Sequence, residues 1–178
     1  MSNYRRVFLN NHYYFLTVLI NNRKLSLLTD HIDKLKVAFK TSKNSYPYDI
    51  YAIVILPNHI HMIICPENAK DYPLIISSIK RTFTNLLDDE IKLKLSNDLS
   101  VSKLNKRESG VWHRRFYEHT IRNQEDLNNT TDYIHYNPVK HKHVSRARDW
   151  NHSSFMKFVK NGMYDKDWCD FTEVIDYD

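Results

Sequence analysis

Glycine is nearly missing from this chain: 2 of 178 residues, where usual usage of about 7% would give roughly 12. Loops that cradle phosphates need several glycines close together, so that backbone amides can approach without a Cβ in the way. Gly110 and Gly162 stand far apart. P-loop and dinucleotide-fold chemistry is thereby excluded, and no nucleotide cofactor is expected. Cysteine is just as scarce. Cys65 and Cys169 lie in unrelated contexts without a C-x-x-C pair, which indicates neither a disulfide framework nor a thiolate zinc site and fits a reducing cytoplasm. Long apolar runs are lacking as well. The stretch 13–20 behind Arg5 and Arg6 falls short of the about 18 residues of a membrane span. It is followed by Asn21-Asn22-Arg23-Lys24 instead of a small-residue cleavage site. A cytoplasmic location with no membrane partner is the expectation.

What the chain does have is 10 His, 12 Tyr, 8 Phe and 3 Trp, with 42% hydrophobic residues overall, enough for the core of one domain. The formal charge of +5 leans toward an anionic partner without naming one.

The hydrophobic pattern gives an order of elements. Residues 13–20 read as a first strand, and Asp30 as the N-cap of a helix carrying Ile32, Leu35, Val37, Ala38 and Phe39. Residues 48–56 and 59–65, separated by the turn Pro57-Asn58, read as a hairpin of central strands. From 73 to about 95 apolar residues recur every three or four positions, which predicts one long amphipathic helix. Residues 96–110 are polar and aperiodic, a loop. Residues 112–121 supply a fourth strand. Asn123-Gln124-Glu125-Asp126 opens a helix through Tyr136, and Asn137-Pro138 should end it, since a residue before proline is pushed out of the α region. The result is an α+β fold, a ferredoxin-like β-α-β-β-α-β sheet with helices on one side. It is read as a single domain over 1–178, with a core of about 1–145 and a helical extension over about 146–178.

Two clusters carry chemistry. In Pro57-Asn58-His59-Ile60-His61-Met62, strand alternation projects His59 and His61 to one face and Ile60 and Met62 to the other. Two imidazoles held this way can grip a divalent metal, although surface or hydrogen-bonded histidines give the same spacing. In Asp132-Tyr133-Ile134-His135-Tyr136-Asn137-Pro138, a buried stripe through Leu127 and Ile134 puts Tyr133 and Asn137, one turn apart, on a neighbouring face. That pair could point at one object, or Tyr133 could simply pack by its ring edge.

Together the clusters narrow the reading. A strand with His-hydrophobic-His and a later helix with a tyrosine resembles the HUH single-strand endonucleases. The stretch Arg115-Phe116-Tyr117-Glu118-His119-Thr120-Ile121-Arg122-Asn123, followed by Asp132-Tyr133-Ile134-His135-Tyr136-Asn137-Pro138-Val139-Lys140-His141, is similar to the bacterial REP-associated tyrosine transposases. The opening Tyr4-Arg5-Arg6 and the Trp150 to Trp168 tail are similar too, so the likeness spans nearly the whole chain. It implies an IS200-like transposase core in which His59, His61 and Asn137 bind Mg²⁺ or Mn²⁺ and Tyr133 is the nucleophile. The implied activity is cleavage and rejoining of hairpin-bearing single-stranded DNA through a 5′-phosphotyrosine, by a protein more compatible with a monomer than with a dimer. The departures are a long 96–110 loop and Asn151-His152, where many relatives carry proline after the tryptophan.

Candidate acceptors for the tyrosine proton are His135, His119 and a metal-bound water. Arg5, Arg6, Lys80, Arg81, Arg114, Arg115, Arg122, Lys140 and Lys142 are candidate phosphate contacts, and Tyr4, Trp112, Phe116 and Tyr117 candidate platforms for unpaired bases. Two rivals compete. A ferredoxin-like module that binds single-stranded nucleic acid without cutting it needs the basic and aromatic residues but not the His-His-Tyr-Asn set. A zinc hydrolase or deaminase fails on composition, because no His-x-Glu with Pro-Cys-x-x-Cys exists and Glu67 is the only acid close to the histidines in sequence.

Overall fold

Alternation along two strands decides the layout. The computed structural model describes residues 6–97 and 110–168. In β1 (Tyr14–Leu19) and β3 (His59–Pro66), Tyr14, Leu16, Val18, Ile60, Met62 and Ile64 enter one apolar core, while Phe15 and Ile63 enter another. The sheet is therefore covered on both faces. Its order is β2-β3-β1-β4, with β2 at Tyr48–Ile55 and β4 at Tyr117–Thr120, and every neighbouring pair is antiparallel.

The first core is roofed by α2 (Ile32–Ser45) and α3 (Tyr72–Leu86), the two crossover helices of the ferredoxin-like unit. The second is roofed by α5 (Gln124–Lys140) and α6 (Phe155–Lys160), which supply Leu127, Tyr133, Ile134 and Phe158. The expected one-sided arrangement thus holds for the crossover helices alone.

Local chemistry moves four boundaries. Asp30 lies inside a short helix α1 (Leu27–Asp30), and α2 starts after His31, so Asp30 is not its N-cap. The single helix expected over 73–95 is two, α3 and α4 (Asp89–Asn97). Leu87 turns extended, which keeps its side chain buried, and Asp89 and Glu90 then sit at the positive end of a new helix. The strand expected over 112–121 is regular only at 117–120, with Trp112 adding an isolated bridge to Ile20.

Helix α5 does not stop at Pro138. Proline removes one amide and crowds the carbonyl four residues back. Only one turn follows it, closed by the amides of His141, Lys142 and His143 on the carbonyls of Asn137, Val139 and Pro138. Lys142 (φ 59°) then takes the left-handed conformation that glycine usually supplies after a helix. Glycine itself is used where nothing else fits. At Gly110 (φ 76°) a Cβ would stand 2.3 Å from the Leu95 carbonyl oxygen.

At its other end α5 is capped as expected. Asn123 accepts from the Asp126 amide at 2.8 Å, and the Asp126 carboxylate reaches back to the Arg122 amide at 2.9 Å, much like a capping box. Asn123→Ala should lower stability by about 1 kcal/mol and Asn123→Gly by only a few tenths. Urea denaturation of the two variants checks this.

The extension closes the open edge of β2. Ser153 bridges Val54, the Ile55 amide donates to the His152 carbonyl at 2.8 Å, and the Ser154 amide donates to Ile53 at 2.9 Å. Pairing there leaves fewer strand groups open to other chains.

Candidate functional site

The α5 side of the sheet brings the two sequence clusters together. His59 and His61 both face it, 3% and 0% exposed, with ring centroids 4.7 Å apart. Tyr133 meets them from α5. Its ring is 5.2 Å from that of His61, edge-on, and 6.0 Å from Phe15 beneath. It is buried, where an ordinary surface helix would expose it.

Each histidine is oriented through Nδ1. Asn58 donates its Nδ2 to the Arg23 carbonyl, which turns its Oδ1 toward His59 Nδ1 at 2.5 Å. His61 Nδ1 lies 2.9 Å from Thr17 Oγ1, directly across on β1. An imidazole whose Nδ1–H is spent on such a neighbour presents a lone pair at Nε2, the arrangement that metal-binding histidines use. The Nε2 atoms of both rings are buried.

Asn137, one turn after Tyr133, is fully buried, and neither its amide oxygen nor its nitrogen has a hydrogen-bond partner among the described residues. A buried amide left so costs about 1–3 kcal/mol, which is why such groups signal a missing partner. Among the described residues no three His, Cys, Asp or Glu side chains could hold a metal ion. A metal held by His59 and His61 would then need a third ligand of another type, which the Asn137 amide oxygen could supply. Two imidazoles and an amide oxygen fit a divalent cation, Mn²⁺ more readily than the oxygen-seeking Mg²⁺.

Thr17 and Asn58 are site residues that the sequence reading does not single out, and it takes His141 only as a DNA contact within the run Lys140-His141-Lys142-His143. Thr17 and Asn58 orient the histidines, as above. His141 stands with its ring 5.2 Å from that of His59. Its signal was available: 133, 137 and 141 form an i, i+4, i+8 ladder on one helix face.

The proton-acceptor candidates are relocated. His135 looks away from Tyr133, its Nε2 2.8 Å from Ser154 Oγ and its ring among Phe155, Phe158 and Tyr164. Burial lowers it to about 3. It pins the extension and is no base for the tyrosine. Beside it, Tyr164 donates to Asp132 at 2.5 Å; burial raises the Asp132 carboxyl, and burial followed by that carboxylate raises the Tyr164 phenol. His119 is held by Asp126 at 2.8 Å near the start of α5. Burial pushes Asp126 up, but the Arg122 amide and His119 outweigh it, and the net shift is downward.

The basic candidates separate as well. Lys140 lies over the Tyr133 ring, Nζ 5.1 Å from its centroid. Arg114, Arg115, Arg122 and Lys142 are exposed. Arg6 is paired with the buried Glu118 at 3.1 Å and lies over Phe116, so its charge is already committed. Trp112 is core and Phe116 half-buried, whereas Tyr117 is 47% exposed. Tyr4 and Arg5 lie outside the described residues.

Comparison with known proteins is decisive for the family. The family described as "Transposase IS200 like" matches residues 8–137. The chain is 43% identical over 169 residues to a Haemophilus influenzae protein assigned to the REP-associated tyrosine transposases, covering 94% of this chain and 93% of that one. The chain belongs to the REP-associated tyrosine transposases. A relative of the same name from Escherichia coli K12 is 36% identical over 170 residues, 95% of this chain and 92% of that one. A solved structure titled as the REP-associated tyrosine transposase bound to a REP hairpin superposes with a TM-score of 0.79 at 34% identity, covering 99% of this chain and 95% of that chain. The chain is thus a transposase-type enzyme with the α+β fold of this family. No helix among its described residues is long and apolar enough to cross a membrane.

Proposed function

We propose that this transposase cleaves and rejoins hairpin-bearing single-stranded DNA with Tyr133 as nucleophile and a divalent cation held by His59, His61 and Asn137. The observation that carries the reading is the meeting of Tyr133, 5.2 Å from the His61 ring, with the partnerless buried amide of Asn137 one turn below. The solved relative bound to a REP hairpin supports the substrate class.

Bound there, the cation supplies Lewis-acid polarisation of a non-bridging phosphate oxygen, a contribution of about several kcal/mol. The chain's own residues do the rest. Asn58 and Thr17 fix the imidazoles, and Phe15 and His61 hold the Tyr133 ring between helix and sheet. Tyr133 Oη attacks phosphorus, the bond to the 3′ oxygen breaks, the phenol gives up its proton and the departing oxygen gains one. The products are a 5′-phosphotyrosine and a 3′-OH strand, and attack by a 3′-OH reverses the step. Lys140 adds a positive charge beside the ring where the phosphate arrives.

Incubation with hairpin DNA and Mn²⁺ or Mg²⁺, followed by denaturation, should yield a covalent protein–DNA species that a chelator prevents. His59→Ala should reduce the adduct by more than the roughly 10- to 100-fold usual for losing a residue that merely orients a metal ligand, while hairpin binding persists. Tight binding without cleavage, across several hairpins and both metals, would favour the non-cutting module instead.

A further inference from the structure

The cations of this protein differ in whether a carboxylate already neutralises them. Arg6, Lys34, Arg146 and Arg148 sit in ion pairs. Lys80, Arg81 and Arg114 have no carboxylate partner among the described residues, yet they line one groove of about 410 Å³ between α3 and the segment 112–114, and no acid lines it with them. Like charges held together without counter-charge repel one another, and an anion relieves that repulsion.

The groove is built before any ligand arrives. Trp112 Nε1 donates to the Lys80 carbonyl at 3.1 Å and lies 3.2 Å from Thr84 Oγ1. Lys80 Nζ donates to the His113 carbonyl at 2.9 Å, 5.9 Å from the Trp112 ring and 6.0 Å from that of Phe116. A long side chain already ordered costs less entropy on binding.

Its ends give it a direction. Beyond Thr84 the neighbouring hollow is lined by Asp89, Glu90 and Lys92, the last paired with Asp89 at 2.6 Å, and the negative charge left over disfavours a phosphate strand. The other end follows the edge of β1: Trp112 bridges Ile20, the His113 amide donates to Leu19, and Tyr117 pairs with Thr17, whose partner on the other side is His61. The exposed Tyr117 ring is 6.2 Å from Phe15, which touches Tyr133. A strand leaving the nucleophile can round the sheet edge over Tyr117 and reach the groove on the opposite face.

We propose that this groove binds the phosphodiester backbone of the single strand flanking the cleavage site, with Lys80, Arg81 and Arg114 on the phosphates and Tyr117 as the stacking platform on the way. The proposal rests on the strand-cleavage reading above. Burial lowers the Lys80 ammonium only to about 8, so it is charged at neutral pH.

The test compares a hairpin DNA carrying a single-stranded tail of about ten nucleotides with the same hairpin trimmed at the cleavage site. Wild-type protein should bind the tailed form about tenfold or more tightly, with a steeper salt dependence. In Arg81→Glu/Arg114→Glu, both sites being exposed, the advantage of the tail should vanish. The salt slope on tailed DNA should fall by roughly 1.4, as expected for two lost single-strand phosphate contacts. Arg81→Gln/Arg114→Gln should lose an intermediate share. A tail advantage that survives charge reversal overturns the groove. A wild-type protein that forms no adduct with either DNA overturns the cleavage reading instead, and the two failures are separable because one is read as affinity and the other as covalent product.

Discussion

Tyr133→Phe should abolish the covalent protein–DNA species, a loss of about 10⁴-fold or more, while hairpin affinity stays near that of the wild type. The phenyl ring keeps the edge contacts of Tyr133 with Phe15 and His61, so helix and sheet stay in register and only Oη is removed. Removing a nucleophile outright leaves only binding and electrostatic contributions, hence the magnitude. Other tyrosines are near enough to be asked about. Tyr136 follows three residues later on α5, only about 60° round the helix from Tyr133, and Tyr117 lies across Phe15 on β4. A variant that retained even a tenth of the wild-type adduct would move the nucleophile to one of these, and mapping the DNA-modified peptide would say which. Asn137→Leu tests the proposed metal site separately from the proposed nucleophile. It replaces a partnerless buried amide by an apolar side chain of similar size, so stability should hold or rise while metal-dependent adduct falls.

Much of the fold was legible because it depends on patterns that burial enforces. The alternation that sent His59 and His61 to one face and Ile60 and Met62 to the other is set by the pleat, and a one-residue slip would have buried the wrong set. The cap at Asn123 is local chemistry and was equally readable. The misread places are where tertiary context overrides local preference. Leu87 leaves the helix to stay buried, which apolar spacing alone cannot signal, since the spacing runs on through Ile91 and Leu95. Pro138 is tolerated because a short turn beyond it closes on Asn137, Pro138 and Val139.

In the site, Tyr133, His59, His61 and Asn137 were readable as residues, but their convergence was not, because it requires α5 to cross the sheet face opposite the crossover helices. Thr17 could not be found from sequence at all. Its role comes from cross-strand register with His61, 44 positions away. Nearness in sequence misled at His135, which stands two residues from Tyr133 yet faces the other way, since a two-residue step on a helix turns the side chain through more than half a turn.

His135 should also govern the acid limb of stability. Burial lowers its native value from 6.5 to about 3. Between those two values the unfolded chain takes up a proton that the native protein refuses, so stability is complete above about pH 6.5 and falls as pH drops toward 3. At 1.36 kcal/mol per unit the loss reaches about 2 kcal/mol by pH 5, or roughly 4–8 °C in Tm for a chain of this size. Asp132 works in the opposite sense, because its raised native carboxyl takes up a proton that the unfolded chain binds only at lower pH. Measuring Tm from pH 7.5 to 5 in an Asp132→Asn background removes that contribution. In this background His135→Gln should start lower at pH 7.5, having lost a fitted ring between Phe155 and Phe158, but decline much less steeply than its His135 parent. Equal slopes would mean that some other group carries the acid sensitivity. Ser154 connects His135 to both backbone groups of Ile53 on β2. Because the native ring refuses the proton, His135 can take it up only when this clasp between the extension and the helix bearing Tyr133 opens.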